Sequence, residues 1–211
     1  MTDRRAKRGA WTPAALGLLA LLTVSCDTGA RQPPPSARST VPAQVAAYDA
    51  GWRTGKGIYA SGGKGMAIRE VVWGGCVRRS LTARPREVVE RDRGAWVLGC
   101  RQGVSGAPRR PPARPLTRRE TDPRLLADFR SWAARHGAQD SAAKATQVVL
   151  VHLGDHDYDV ELTSAHGPGD RAADLADVFA EWWDGDDGDT GVAWNLLLLT
   201  RDGERLLTRD L

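Results

Sequence analysis

A chain of 211 residues with 41% hydrophobic and 27% charged content holds enough apolar side chains for one ordinary domain or two small ones, which excludes bulk disorder. Its net charge of +4 conceals an asymmetry: residues 1–119 carry 22 basic and 7 acidic side chains, whereas residues 120–211 carry 8 and 19. Such a split marks two segments with separate surroundings, which could attract one another or each meet a different partner.

In chain order, residues 1–8 (MTDRRAKR) form a basic leader, and Trp11–Val24 is an apolar run of 14 residues. That run is shorter than the roughly 20 residues a membrane-spanning helix needs. The pair reads as a secretory signal peptide over residues 1–25. The run ends Leu22-Thr23-Val24-Ser25-Cys26. These residues resemble the lipobox of bacterial lipoproteins, with leucine one position earlier than usual and Thr23 in its place. The resemblance implies that the Cys26 thiol carries a diacylglyceryl group, becomes the new N-terminus and holds the chain on the outer face of the cell membrane. Residues 26–43 then read as a flexible tether, being rich in Pro, Ser, Thr and Gly without apolar periodicity. Arginine supplies 26 of the 30 basic residues. With the lipobox, that bias resembles exported proteins of high-GC Gram-positive bacteria, and implies no activity.

Residues 44–105 read as a small basic helical module. Val45, Tyr48, Trp52, Gly55 and Tyr59 recur at helical spacing, and Gly51 and Gly55 on that face would admit a second helix closely. Ile68, Val72 and Cys76 form a second stripe, and Trp96, Cys100 and Val104 a third. An even cysteine count in an exported chain, once Cys26 is lipidated, predicts a Cys76–Cys100 disulfide. The glycine-rich stretch Gly55–Gly65 misses the phosphate-loop pattern and reads as a flexible turn. Residues 106–119 are rich in proline and arginine and read as an extended linker.

Residues 120–211 read as an acidic α+β domain. Asp122 caps a helix that Pro123 begins, with Leu125, Leu126, Phe129, Trp132 and Ala133 on its apolar face. Ala145–Leu153 is a buried strand, and the next strand alternates with Tyr158, Val160 and Leu162 inward. A helix through Leu175, Val178, Phe179 and Trp182, a strand at Val192–Thr200 and a closing hairpin strand complete the order α-β-β-α-β-β. The fold class is therefore α+β: a disulfide-tied helical module, then a four-stranded antiparallel sheet with both helices on one face.

Two clusters are candidate metal sites. His152, Asp155, His156 and Asp157 around the first hairpin could hold a divalent metal. Asp184, Asp186, Asp187 and Asp189 could hold a hard cation such as Ca²⁺, although the spacing is not that of an EF-hand. No catalytic motif stands out: Gly-x-Ser-x-Gly and His-Glu-x-x-His are both absent from the sequence. The reading is a membrane-anchored extracytoplasmic lipoprotein that binds something, with no catalytic residue assigned. Its partners would be the membrane through the lipid, and an envelope protein or an anionic wall polymer. The arginine-rich linker lacks the interleaved aromatic residues of nucleic-acid binders. Two alternatives stay open: a metal-dependent hydrolase built on the histidine cluster, and a structural or assembly protein of the envelope.

Overall fold

Backbone contact between two helices organises the helical half. In the computed structural model, which describes residues 41–183 and 191–211, α1 (Ala43–Val71) packs along α4 (Arg93–Val104). Each helix presents a Gly-x-x-x-Gly pair to the other. A Cβ built on Gly51 would lie 2.0 Å from the Trp96 carbonyl oxygen, and one on Gly55 2.1 Å from that of Cys100. The contact is reciprocal, because a Cβ on Gly99 or Gly103 would meet the carbonyl oxygen of Tyr48 or Trp52 at 2.1 and 2.3 Å. Tyr48, Trp96, Cys100 and Val104 are buried around this seam. The expected α1 face is thus correct up to Gly55, while Tyr59 is exposed.

The turn expected over Gly55–Gly65 narrows to a single residue. α1 continues through Gly57 and Gly62 and breaks only at Gly63, where φ is +60° and ψ −152°. A second left-handed glycine, Gly74, lies against the Trp194 ring and starts α2 (Gly75–Ser80). Ile68, Val72 and Cys76 therefore do not share one helix: the first two are exposed at the end of α1, and Cys76 is buried in α2. A disulfide joins Cys76 to Cys100, with Cα atoms 5.8 Å apart, and so ties α2 to α4. The short α3 (Arg86–Val89) completes this half.

The sheet has five strands in the order β1 (Arg118–Thr121), β2 (Ala145–His152), β3 (Asp157–Ser164), β4 (Val192–Leu199) and β5 (Arg205–Asp210). This corrects the expected four antiparallel strands in two ways. Residues 118–121 add an edge strand, antiparallel to β2. And β3 and β4 pair in parallel. The reason lies in α7 (Asp170–Trp183), which connects them. Its 14 residues rise about 21 Å at 1.5 Å each, close to the roughly 26 Å of an eight-residue strand. The chain is therefore carried back to the start of β3 before β4 begins. The remaining connections are antiparallel, and the element order α-β-β-α-β-β holds, with α6 (Gln139–Ala142) added between α5 (Pro123–Arg135) and β2.

Both faces of the sheet are covered. On one face, Tyr158, Val160, Leu162, Leu196 and Leu198 pack against Phe129 of α5 and Leu175 and Phe179 of α7. Phe129 and Phe179 meet with ring centroids 4.9 Å apart. Both longer helices of this half therefore lie on one face, as expected. On the other face, Val149 and Val151 of β2 and Leu153 just past its end join the core of α1, α2 and α4. That layer also brings charge to the sheet. Arg93 of α4 is paired with Asp159, whose other oxygen accepts from the Asn195 side chain at 2.6 Å. Arg101 of α4 makes a two-pronged contact with Asp157, 2.9 Å on one prong, and Trp194 Nε1 donates to the same carboxylate at 2.6 Å. Arg119 of β1 grips Glu161, 3.0 Å on one prong.

The proline- and arginine-rich segment forms no helix, as its composition dictates, yet it is fastened down. The buried Asp92 carboxylate caps α4 through Ala95 N–H at 3.1 Å and accepts from the N–H groups of Leu116 and Thr117 at 3.0 and 2.9 Å. Arg109 pairs with Asp49, and the Arg110 N–H donates to the Tyr48 hydroxyl.

Two stability outcomes are expected. Gly55→Ala should destabilise by about 1–3 kcal/mol, because the two backbones must separate. Gly57→Ala, which meets open space on the same helix, should stabilise by roughly 0.5–1 kcal/mol. Arg93→Met should cost about 3–5 kcal/mol by stranding Asp159. Adding Asp159→Asn, which removes the charge but keeps an acceptor for Asn195, should recover a large share. Urea melts of the four variants check both; equal losses for Gly55→Ala and Gly57→Ala, or no recovery in the double variant, would contradict this reading.

Candidate functional site

A cleft of about 910 Å³ opens where the end of β2, the start of β3, the edge strand β1, the first turn of α5 and the last turn of α7 meet. Each element delivers its side chain for a local reason. His152 is the last residue of β2 and lies opposite Tyr158 in the ladder, so both rings fall on the α5/α7 face, 5.9 Å apart. Glu120 and Arg118 alternate to the same face of β1 and pair with each other. Trp183 closes α7 and stacks on Phe179 at 5.7 Å, with its edge toward Tyr158 at 6.3 Å. Arg114 and Asp155 stand on the rim, both exposed. Asp122 also lines the cleft, but its carboxylate is committed to the N–H groups of Arg124 and Leu125 at 2.9 and 3.0 Å.

The electrostatics favour an uncharged imidazole. Burial, followed by the positive charge of Arg118, pulls the His152 pKa below the ordinary histidine value, against the pull of Glu120. Glu120 Oε2 lies 3.4 Å from His152 Nε2, long for a hydrogen bond. Glu120 itself is held below the usual carboxylate range by its hydrogen bond from Arg118. The cleft thus offers a neutral imidazole, guanidinium donors, carboxylate acceptors and an aromatic wall. That combination suits a polar ligand with one apolar face. The Thr117 hydroxyl in the cleft lining is already committed, donating to Asp92 at 2.7 Å and accepting from Gly94 N–H at 2.8 Å.

The hairpin cluster expected from sequence is divided by the sheet. His152 and Asp155 line the cleft. Asp157 points to the opposite face, where it binds Arg101 and Trp194; burial opposes its ionisation, but those hydrogen bonds outweigh it and hold its pKa low. His156 is exposed in the turn, and its carbonyl accepts from Val192 N–H at 2.7 Å. The split follows from strand alternation, which sends positions 157 and 158 to opposite faces. Among the described residues, one group of three metal-ligand types converges within 4.8 Å: Glu70, Cys76 and Cys100. There the disulfide consumes both thiols, and Glu70 is held by Arg79 at 2.8 Å through two hydrogen bonds. Asp184, Asp186, Asp187 and Asp189, and the lipidation candidate Cys26, lie outside the described residues.

Glu120, Arg118, Arg114 and Trp183 did not stand out in the sequence. Arg118 falls in the segment that reads as linker, and Glu120 is the first residue of the acidic domain. The period-two spacing of Arg118 and Glu120 was the available signal. In comparisons with known proteins, no family model, no curated protein and no solved structure matches the chain.

His152 supplies a pH test. An unfolded histidine titrates near 6.5, and the folded pKa is lower, so acid favours the unfolded chain. The contribution is fully present above the unfolded pKa and is lost as pH falls toward the folded one. His152→Gln should flatten the stability profile across that window, read from melts between about pH 7 and pH 5. An unchanged profile would mean that His152 titrates as in the unfolded chain.

Proposed function

We propose that the chain is an exported lipoprotein of the bacterial cell envelope, anchored through a diacylglyceryl group on Cys26, and that its folded part works by binding. The observation that carries the compartment is the disulfide. Cys76 and Cys100 are both fully buried, and such a bond persists in oxidising surroundings rather than in the cytosol. The lipobox-like residues Leu22–Cys26 support the anchor, since two acyl chains suffice for lasting attachment. Among the described residues no helix is long and apolar enough to cross a membrane. The binding role rests on the cleft beside His152, whose donors, acceptors and aromatic wall fit recognition of an envelope component better than bond cleavage. Against the hydrolase alternative stands the parting of Asp157 from His152.

Replacing Cys26 by Ser in the producing cell tests the anchor. The variant should leave the membrane fraction in a high-salt wash and incorporate no labelled palmitate, while the parent chain stays bound and labelled. Retention of the variant through that wash would sink the anchor.

A further inference from the structure

Six large apolar side chains are exposed among the described residues, and three of them fall within one six-residue stretch. Ile68 is 54% exposed, and Val72 and Trp73 are each 61% exposed. They sit at the end of α1, beyond the Gly63 break, and in the turn that follows. Lys64 and Ile68 stand one four-residue step apart on the helix, Val72 caps it, and Trp73 follows in the bend. Glu70 points the other way and is 1% exposed, fastened to Arg79. The outward face therefore carries two aliphatic side chains, one indole and two exposed cations.

The surrounding charge is of one sign. Residues 50–86 contain eight basic side chains and one acidic one, and that acid is the buried Glu70. Lys64 and Arg69 are exposed beside the apolar side chains, and the stretch that holds them has no solvent-facing carboxylate. A protein partner with an acidic surface would satisfy the charge and could take the indole as well, but the stretch follows a segment that starts at a membrane-anchor candidate, which puts a bilayer within its reach. The interfacial region of an anionic bilayer accounts for both. Tryptophan settles at headgroup depth, branched apolar side chains reach the upper acyl region, and each basic residue near the surface gains from the negative potential.

We propose that this end of α1, with Ile68, Val72 and Trp73 as its inserting side chains, is a docking surface for an anionic phospholipid bilayer. The surface goes beyond the Cys26 anchor and does not require it. Its position in the chain suits such a role: Cys26 and Val41 are 15 steps apart with 14 residues between them, and a chain of that length spans at most about 50 Å. A tether that short raises the effective concentration of the surface at the bilayer, so intrinsically weak docking suffices to orient the folded part.

The experiment uses the unacylated chain beginning at Asp27, which retains the compact unit Ser39–Leu211. It is mixed with vesicles of pure phosphatidylcholine and with vesicles that also contain phosphatidylglycerol, whose negative surface potential acts on basic segments. Flotation should recover the chain with the anionic vesicles only, and added salt should weaken the association. Trp73→Ser should reduce partitioning about tenfold by removing a large buried apolar contact. Lys64→Glu with Arg69→Glu should abolish it. These positions are exposed, so circular dichroism and melting temperature should be unchanged, and Tyr59→Ser, on the other side of the Gly63 break, serves as the control with partitioning retained. Absence of anionic-vesicle binding, equal binding to neutral vesicles, or indifference to Trp73→Ser would overturn the proposal. So would a dimer at micromolar concentration that Trp73→Ser dissociates, which would make a second copy the occupant. Failure here leaves Cys26 untouched, because the anchor is read from palmitate labelling and high-salt retention.

Discussion

Three carboxylates on one strand hold the two halves of the molecule in register. Asp157, Asp159 and Glu161 alternate along β3 with Tyr158, Val160 and Leu162, so one face of the strand is acidic and the other apolar. Each acid is met by an arginine from the basic half: Arg101, Arg93 and Arg119 respectively. This is the physical content of the charge asymmetry between residues 1–119 and 120–211. Amphipathic strands usually turn their polar side to water. Here that side is roofed by α4, and the roof is tolerable because each carboxylate under it finds a guanidinium.

Such pairs are not strong evidence of stability. Desolvating two charges costs several kcal/mol, and the Coulomb gain returns it only where the remaining hydrogen bonds are satisfied. Burial pushes the Asp159 carboxyl upward, and the Arg93 charge and the Asn195 hydrogen bond work against that push. What the row supplies is position. A one-residue slip of β3 in the sheet would turn Tyr158, Val160 and Leu162 toward Arg93 and Arg101 and carry Asp157 and Asp159 into the apolar core. α4 is the element on which these constraints converge. It carries both arginines, the glycines that admit α1, one cysteine of the disulfide and the Asp92 cap that fastens the Pro/Arg-rich segment.

What could be read from the sequence follows this division. Local signals were legible: the Asp122 cap with Pro123, the strand alternation at 157–164, the paired cysteines and the close-approach glycines of α1. Long-range choices were not. The parallel pairing of β3 with β4 depends on where α7 returns the chain. The fifth strand hid in a segment whose prolines and arginines masked a four-residue edge. Chain neighbours at 152–157 suggested one metal cluster, but alternation parts Asp157 from His152 and gives it to Arg101. The cleft drew Glu120 and Trp183 from 63 residues apart in number, with no motif to join them.

The basic surplus of the first half therefore has two meanings. Arg93 and Arg101 reach inward and Arg119 lies over the sheet edge, and all three are consumed by carboxylates of β3. Lys64 and Arg69 are external, on a face where the lone nearby acid is turned inward and sealed by Arg79. Selection for folding accounts for the first set, since removing one partner strands a charge in the core. It does not account for the second, nor for an exposed tryptophan beside it. Exposed indole and aliphatic side chains carry an aggregation hazard unless something covers them. A surface that keeps such residues together, and keeps acids away from them, is shaped by what it meets outside the fold.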